Sequence, residues 1–256
     1  MEYIYLSPHL DDIALSCGGL VWEQAQAGES VSIWTICAGS PPPGSLSPFA
    51  QELHTRWETG PAAFAERRAE DIASCQRLGA IHHHLEIPDC IYRRHPETGE
   101  YLYASEASLS SPLHPAEARL VDQLSALLNQ SLPSKATLVC PLALGNHVDH
   151  QLTRAAAEKL GRYLQYYADY PYVLRYEAHR SELADKGWGY TIYPVSASGL
   201  TAWQDAIAAH ASQISTFWHS LAAMQQAIQA YCQRNAGLPL WKNEKLTDAQ
   251  TNPCVS

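Results

Sequence analysis

The chain predicts an α/β fold, a mostly parallel, Rossmann-like sheet with helices on both faces. Three observations predict it. Short apolar or β-branched runs alternate with longer helix-patterned segments along most of the 256 residues. Their order is strand, helix, strand, helix, as the crossovers of a parallel sheet require. No internal repeat and no linker divides the chain. One domain is therefore expected over 1–242, close to the upper size of a single core, with a polar tail over 243–256.

The first strand is expected at Tyr3–Leu6, followed by Ser7-Pro8-His9-Leu10-Asp11-Asp12 and a helix over Ile13–Ala27 that carries Gly18-Gly19. A second strand, Val31–Cys37, leads into a long connection, Gly39–Gly60, with Pro41-Pro42-Pro43-Gly44 and Trp57, before a helix over Ala62–Leu78. The third strand, His82–Ile87, opens with His82-His83-His84. Strand alternation sends neighbours to opposite faces, so these three imidazoles do not share one ion. A second long connection, Cys90–Leu113, holds Pro96-Glu97-Thr98-Gly99 as a hairpin turn and precedes a helix over Pro115–Gln130. The strand Thr137–Leu142 runs into Gly145-Asn146-His147-Val148-Asp149-His150 and a helix over Asp149–Leu160. Strands at Gln165–Ala168 and Tyr190–Tyr193 and helices at Ala202–Trp218 and Leu221–Arg234 complete the pattern. Both long connections leave strands, so they are expected at the carboxyl edge, where open α/β sheets bind ligands. Connections of such length in a compact domain commonly act as lids.

Composition narrows the function. The formal net charge is -9 and no basic cluster occurs, which argues against nucleic acid and anionic membranes as partners. The seven cysteines are scattered, odd in number and without a C-x-x-C pair, so neither a disulfide framework nor a thiolate zinc site is expected. That usage fits a reducing compartment. With no secretory leader pattern and no apolar run of bilayer length, the cytoplasm is expected and membrane insertion is not.

Two clusters carry chemistry, each just past an expected strand. In the first, Asp11 and Asp12 are adjacent beside His9. Burying neighbouring carboxylates without a cation is costly. A metal resolves this, with one carboxylate as ligand and its neighbour as a base facing water. Helix capping accounts for one Asp but not for His9 beside two. In the second cluster, His147 and His150 are three apart at a helix start and share a face. Asp149 suits orienting a histidine through its second N–H. Together the clusters offer His, Asp and His, and three protein ligands with an open position make a catalytic zinc site.

These motifs resemble the PIG-L (LmbE-like) family of metal-dependent N-acetylglucosaminyl deacetylases, whose members carry His-x-Asp-Asp after the first strand and a later His-x-Asp-His. Glu66-Arg67-Arg68-Ala69-Glu70 through Leu78-Gly79 is similar to a family helix. Asp89-Cys90-Ile91-Tyr92-Arg93, Tyr167-Ala168-Asp169-Tyr170-Pro171-Tyr172 and His210-Ala211-Ser212-Gln213 are similar to segments of one bacterial branch. The resemblance implies that His9, Asp12 and His150 bind the metal and that Asp11 is the general base. It implies that His147 polarises the carbonyl, with Asp149 setting its orientation. The family's usual Glu and Pro are Ile13 and Leu10 here, and neither position is a ligand.

The implied activity is zinc-dependent removal of an acetyl group from an N-acetylated amino sugar or glycoconjugate by activated water. Iron(II) and cobalt(II) suit the same donors chemically. Asp89, Tyr92, Arg93 and Arg67 are candidate substrate contacts, with plainer readings of Asp89 as a turn residue after Pro88 and of Arg67 as an exposed helix arginine. The partner expected is a small N-acetylated sugar, with homo-oligomerisation left open. The competing readings are an amidase for another acylamine or thiol conjugate, a phosphoesterase, and a non-catalytic metal- or carbohydrate-binding module. The phosphoesterase reading is weakened by the lack of carboxylates for a second metal. Retention of Asp11 beside a full ligand set argues against the binding module.

Overall fold

The computed structural model describes residues 1–56, 63–176 and 187–243. The chain runs β1 (Glu2–Ser7), α1 (Asp12–Gln26), β2 (Ser30–Thr35), α2 (Pro48–Arg56), α3 (Ala63–Leu78), β3 (Ile81–His84), α4 (Glu106–Leu109) and α5 (Ala118–Ser131). It continues with β4 (Thr137–Pro141), α6 (Val148–Glu158), β5 (Leu164–Tyr167), α7 (Val173–Tyr176), β6 (Trp188–Tyr193), α8 (Ala197–Ala208), α9 (Ala211–Phe217), α10 (Leu221–Asn235) and β7 (Leu238–Asn243).

Among the described residues seven strands form one sheet in the order β3-β2-β1-β4-β5-β7-β6. β1 lies between β2 and β4 and is parallel to both, with Tyr3 opposite Val31 on one side and Thr137 on the other. The chain builds outward from β1 to β3 and then returns to β4. The strand order therefore reverses between β1 and β4, and a crevice opens beyond their carboxyl ends. Both chemistry-bearing clusters follow those two strands.

The central strands are buried on both faces, which explains their uninterrupted apolar runs: Ile4, Tyr5 and Leu6 in β1, and Leu138, Val139 and Cys140 in β4. Helix α1 packs beneath α8 through Gly18 and Gly19. A Cβ at Gly18 would lie 2.5 Å from Cδ1 of Trp203, whose indole N–H donates to the Ala14 carbonyl at 2.6 Å. The glycine pair is thus a notch for a fully buried tryptophan.

Three expectations need correction. β7 is a strand within the stretch expected to follow the last helix; it pairs antiparallel with both β5 and β6. Pro239 within it lacks the N–H that a strand interior normally donates, so the segment carries a weak strand signal. The helix expected over Ala202–Trp218 begins earlier, capped by Ser196, and breaks into α8 and α9 at His210. Glu70 of α3 accepts from the Ser212 N–H at 2.8 Å and so caps the new start, a contact distant in sequence. The Pro-rich connection contains α2, whose Phe49 and Leu53 pack with Phe64, Ile91, Tyr92 and Tyr103 in a second hydrophobic cluster.

Other expectations stand. The 96–99 turn closes a small hairpin, with Arg94 bridged to Tyr101 and Gly99 at φ +73. His83 stacks on Trp34 while His82 and His84 neighbour each other, so the three imidazoles diverge. The six described cysteines are buried and unbridged; Cys254 lies outside the described residues, as do Trp57, Gly60 and the tail beyond Asn243. Among the described residues no helix is long and apolar enough to cross a membrane.

Candidate active site

His9, Asp11 and Asp12 stand in the turn from β1 into α1, and His147, Asp149 and His150 in the turn from β4 into α6. Because β1 and β4 are adjacent, the clusters meet. Asp12 Oδ2 lies 3.2 Å from His9 Nδ1 and 3.4 Å from His150 Nε2. One nitrogen each from His9, His147 and His150 falls within 4.8 Å of the others. The same Asp12 oxygen accepts the His9 backbone N–H at 2.8 Å, which folds the turn back on itself.

The far side of each imidazole is held by a buried carboxylate. His9 Nε2 is 2.9 Å from Asp149 Oδ2, and His150 Nδ1 is 2.6 Å from Asp169 Oδ1. Such contacts place the far-side ring protons and turn His9 Nδ1 and His150 Nε2 towards Asp12, where a bound ion would take their lone pairs. Burial opposes protonation of both rings, but the carboxylates outweigh it. Asp12 and Asp149 hold the His9 pKa well above its ordinary value, and Asp12 and Asp169 push His150 up to about 10. The cluster thus demands positive charge at its centre, which a divalent cation supplies in place of protons. Two imidazoles and a carboxylate with carboxylates behind the rings fit zinc, iron(II) or cobalt(II).

His147 differs from its neighbours. It caps α6, its Nδ1 accepting the Asp149 backbone N–H at 3.3 Å. Burial, followed by the nearby charge of His9, pushes its pKa down to about 3. A neutral ring whose Nδ1 is an acceptor carries its proton on Nε2, and that N–H is a donor for the cavity.

A cavity of about 370 Å³ opens on this centre. Its floor includes His9, Asp11, Asp12, His147 and His150; Arg67 and Asp89 flank them, and Tyr170, Tyr172 and Phe217 form an aromatic wall. Both long connections reach its rim, through Leu53 and Arg56 on one and Glu106 and Leu109 on the other. Asp11 Oδ1 lies 3.6 Å from Arg67 Nη2, and Asp89 Oδ2 lies 3.7 Å from His9 Nε2.

Three sequence-based assignments change. The Asp149 carboxylate turns to His9, the Cys90 N–H and Arg93, and not to the His147 ring. Arg93 is buried, its guanidinium spent on Asp149, Glu117 and the Pro88 carbonyl, and it does not line the cavity. Tyr92 is buried too, its hydroxyl 2.5 Å from His54 Nε2. Asp169 was missed as the holder of His150. Its only local signal was a carboxylate just past the end of a strand.

Residues 4–160 match the model of the PIG-L family, described as GlcNAc-PI de-N-acetylase. A 2'-N-acetylparomamine deacetylase of Niallia circulans is 29% identical over 203 residues, which cover 73% of this chain and 71% of that protein. The zinc-inhibited form of a teicoplanin deacetylase is similar in structure, with a TM-score of 0.77 and 25% identity over 94% of this chain and 97% of its own. A deacetylase of the A40926 pseudoaglycone gives a TM-score of 0.68 at 27% identity over 94% and 96% of the two chains.

Proposed function

The chain belongs to the PIG-L family and is a hydrolytic N-deacetylase, and on that premise we propose that it removes the acetyl group from a small N-acetylated amino sugar with a zinc ion held by His9, Asp12 and His150. The observation that carries the reading is the single Asp12 oxygen facing one ring nitrogen of His9 and one of His150, with a carboxylate behind each ring.

When bound, the ion supplies a Lewis acid that polarises an amide carbonyl and makes water a competent nucleophile near neutral pH. Asp11 is the general base. It lines the cavity beside Asp12, and Arg67 keeps its carboxylate oriented. It takes the proton of the attacking water as the C–O bond forms. The His147 Nε2–H donates to the carbonyl oxygen as charge develops there, a role worth about 10²–10³ in rate where such donors have been removed. Asp11 then delivers its proton to the departing nitrogen, the C–N bond breaks, and acetate and a free amine are released.

Asp89 and Arg67 are the polar substrate contacts in this reading, and the aromatic wall covers the apolar face of the ring. A cavity of about 370 Å³ favours a mono- or disaccharide-sized substrate. The acetylparomamine deacetylase, which acts on an amino-sugar conjugate by its name, supports the same class.

Acetate release should be measured over a panel of N-acetylated amino sugars, glycoconjugates and a thiol conjugate, with phosphate release measured from a phosphoester. Each is assayed before chelation, after chelation and after zinc is restored. We expect chelator-sensitive acetate from the amino sugars, restored by zinc. Turnover of the thiol conjugate alone would replace the substrate assignment, and binding without turnover would make the protein a carbohydrate-binding module.

A further inference from the structure

Behind His9 runs a chain of buried charges that ends on the long connection between β3 and α5. Asp149 is fully buried, and both its oxygens are used. Oδ2 accepts from His9 Nε2 at 2.9 Å and from the Cys90 N–H at 3.1 Å. Oδ1 accepts from Arg93 Nη1 at 2.5 Å. The opposite edge of the Arg93 guanidinium forks onto Glu117, Nε to Oε1 and Nη2 to Oε2. Glu117 is 2% exposed and accepts the Tyr103 hydroxyl at 2.6 Å, which in turn accepts the His114 N–H at 2.9 Å. Two carboxylates thus share one guanidinium in a closed environment.

We infer that Arg93 and Glu117 are positioning residues for the metal centre, holding Asp149 so that His9 keeps its proton on Nε2 and offers Nδ1 to the ion. The inference rests on the reading of His9 as a ligand. The planar fork of arginine makes it suited to the task. It grips Glu117 with one edge and turns Nη1 to Asp149 and the Pro88 carbonyl, which lysine, a point charge on a flexible stem, cannot reproduce. Among the described residues Arg93 and the His9 ring are the cationic groups paired with Asp149, so Arg93 anchors the Oδ1 side of the carboxylate. The long connection accordingly has a second task besides bordering the cavity: it carries Arg93, and Tyr103 secures Glu117 beneath it.

A plainer reading makes Arg93 a buried ion pair that only ties the connection to the body of the protein. The two readings differ in the sign of an effect on metal affinity. Removing a positive charge near a cation site tightens cation binding by Coulomb's law. Removing a positioning group weakens it, commonly 10–100-fold for partners behind a ligand histidine.

The test is zinc affinity by competition with a chromophoric chelator for the full-length wild type and for Arg93→Gln, Arg93→Lys, Glu117→Gln and His9→Ala. It is paired with ¹⁵N spectra of histidine-labelled, zinc-loaded protein, in which the ion takes the place of the ring's second proton. We expect Arg93→Gln to bind zinc about 10–100-fold more weakly, with Arg93→Lys recovering part of the loss. The His9 ring should change from the Nε2–H tautomer to a mixture in Arg93→Gln. If Arg93→Gln does not fold, Glu117→Gln decides, with a several-fold loss of affinity and the same tautomer change expected. Unchanged or tighter zinc binding with an unchanged His9 tautomer, while His9→Ala abolishes binding, overturns the positioning role and leaves the site reading intact. Full zinc affinity in His9→Ala would overturn the site reading as well.

Discussion

Asp169 Oδ1 lies 2.6 Å from Nδ1 of His150, and this contact decides which nitrogen the ring turns to Asp12. Asp169 follows β5 and His150 lies in the first turn of α6, just past β4, so adjacent strands cooperate in orienting one imidazole. Asp169→Asn keeps an oxygen acceptor but loses the charge that pulls the Nδ1 proton. Zinc affinity should fall about 10–100-fold with the fold intact. A chelator competition giving wild-type affinity would remove Asp169 from the metal centre.

Asp11 and Asp12 are neighbours with separable roles. Asp11→Asn should retain zinc and fold normally while turnover drops by about 10²–10⁴, because an amide does not accept the proton of the attacking water. Asp12→Asn should instead lose zinc, with excess metal restoring part of the activity. Elemental analysis beside steady-state rates distinguishes them. If Asp12→Asn kept its metal and lost only turnover, the two assignments would have to be exchanged.

Gly145 sits at φ +86, and a Cβ there would lie 2.6 Å from Cδ1 of Tyr172. Gly145→Ala is therefore strained by about 1–2 kcal/mol in its backbone and forces the Tyr172 ring into the cavity. We expect a raised KM for amino-sugar substrate and a lower unfolding midpoint, with zinc stoichiometry unchanged. An unaltered KM would mean that Tyr172 does not bound the substrate.

Gly18 serves packing alone. Gly18→Ala places a methyl group 2.5 Å from Trp203 and should cost about 1–3 kcal/mol in denaturant unfolding, the usual penalty for overfilling a core. The folded fraction should retain the wild-type turnover number. Trp203→Phe combined with Gly18→Ala should recover part of the loss, since the smaller ring vacates the notch. A double variant no more stable than the single one would show that the clash is relieved elsewhere.

The parallel sheet was legible in the sequence because β1 and β4 are buried on both faces and so read as unbroken apolar runs. The convergence of His9, Asp12 and His150 was legible too. Two clusters that follow strands must emerge at the same sheet edge, and their motifs are specific as a pair. What only the tertiary structure decided is where each side chain's second contact goes. Asp149 precedes His150 and follows His147 by two residues, yet its carboxylate serves His9, 140 positions away. Arg93 reads as a substrate contact on the long connection but is spent on two buried carboxylates. β7 emerges only because β5 offers it an unpaired edge. Local spacing sets which residues share a helix face or a strand end. A buried hydrogen bond forms wherever folding leaves a donor opposite an acceptor, and residues far apart in sequence settle that pairing.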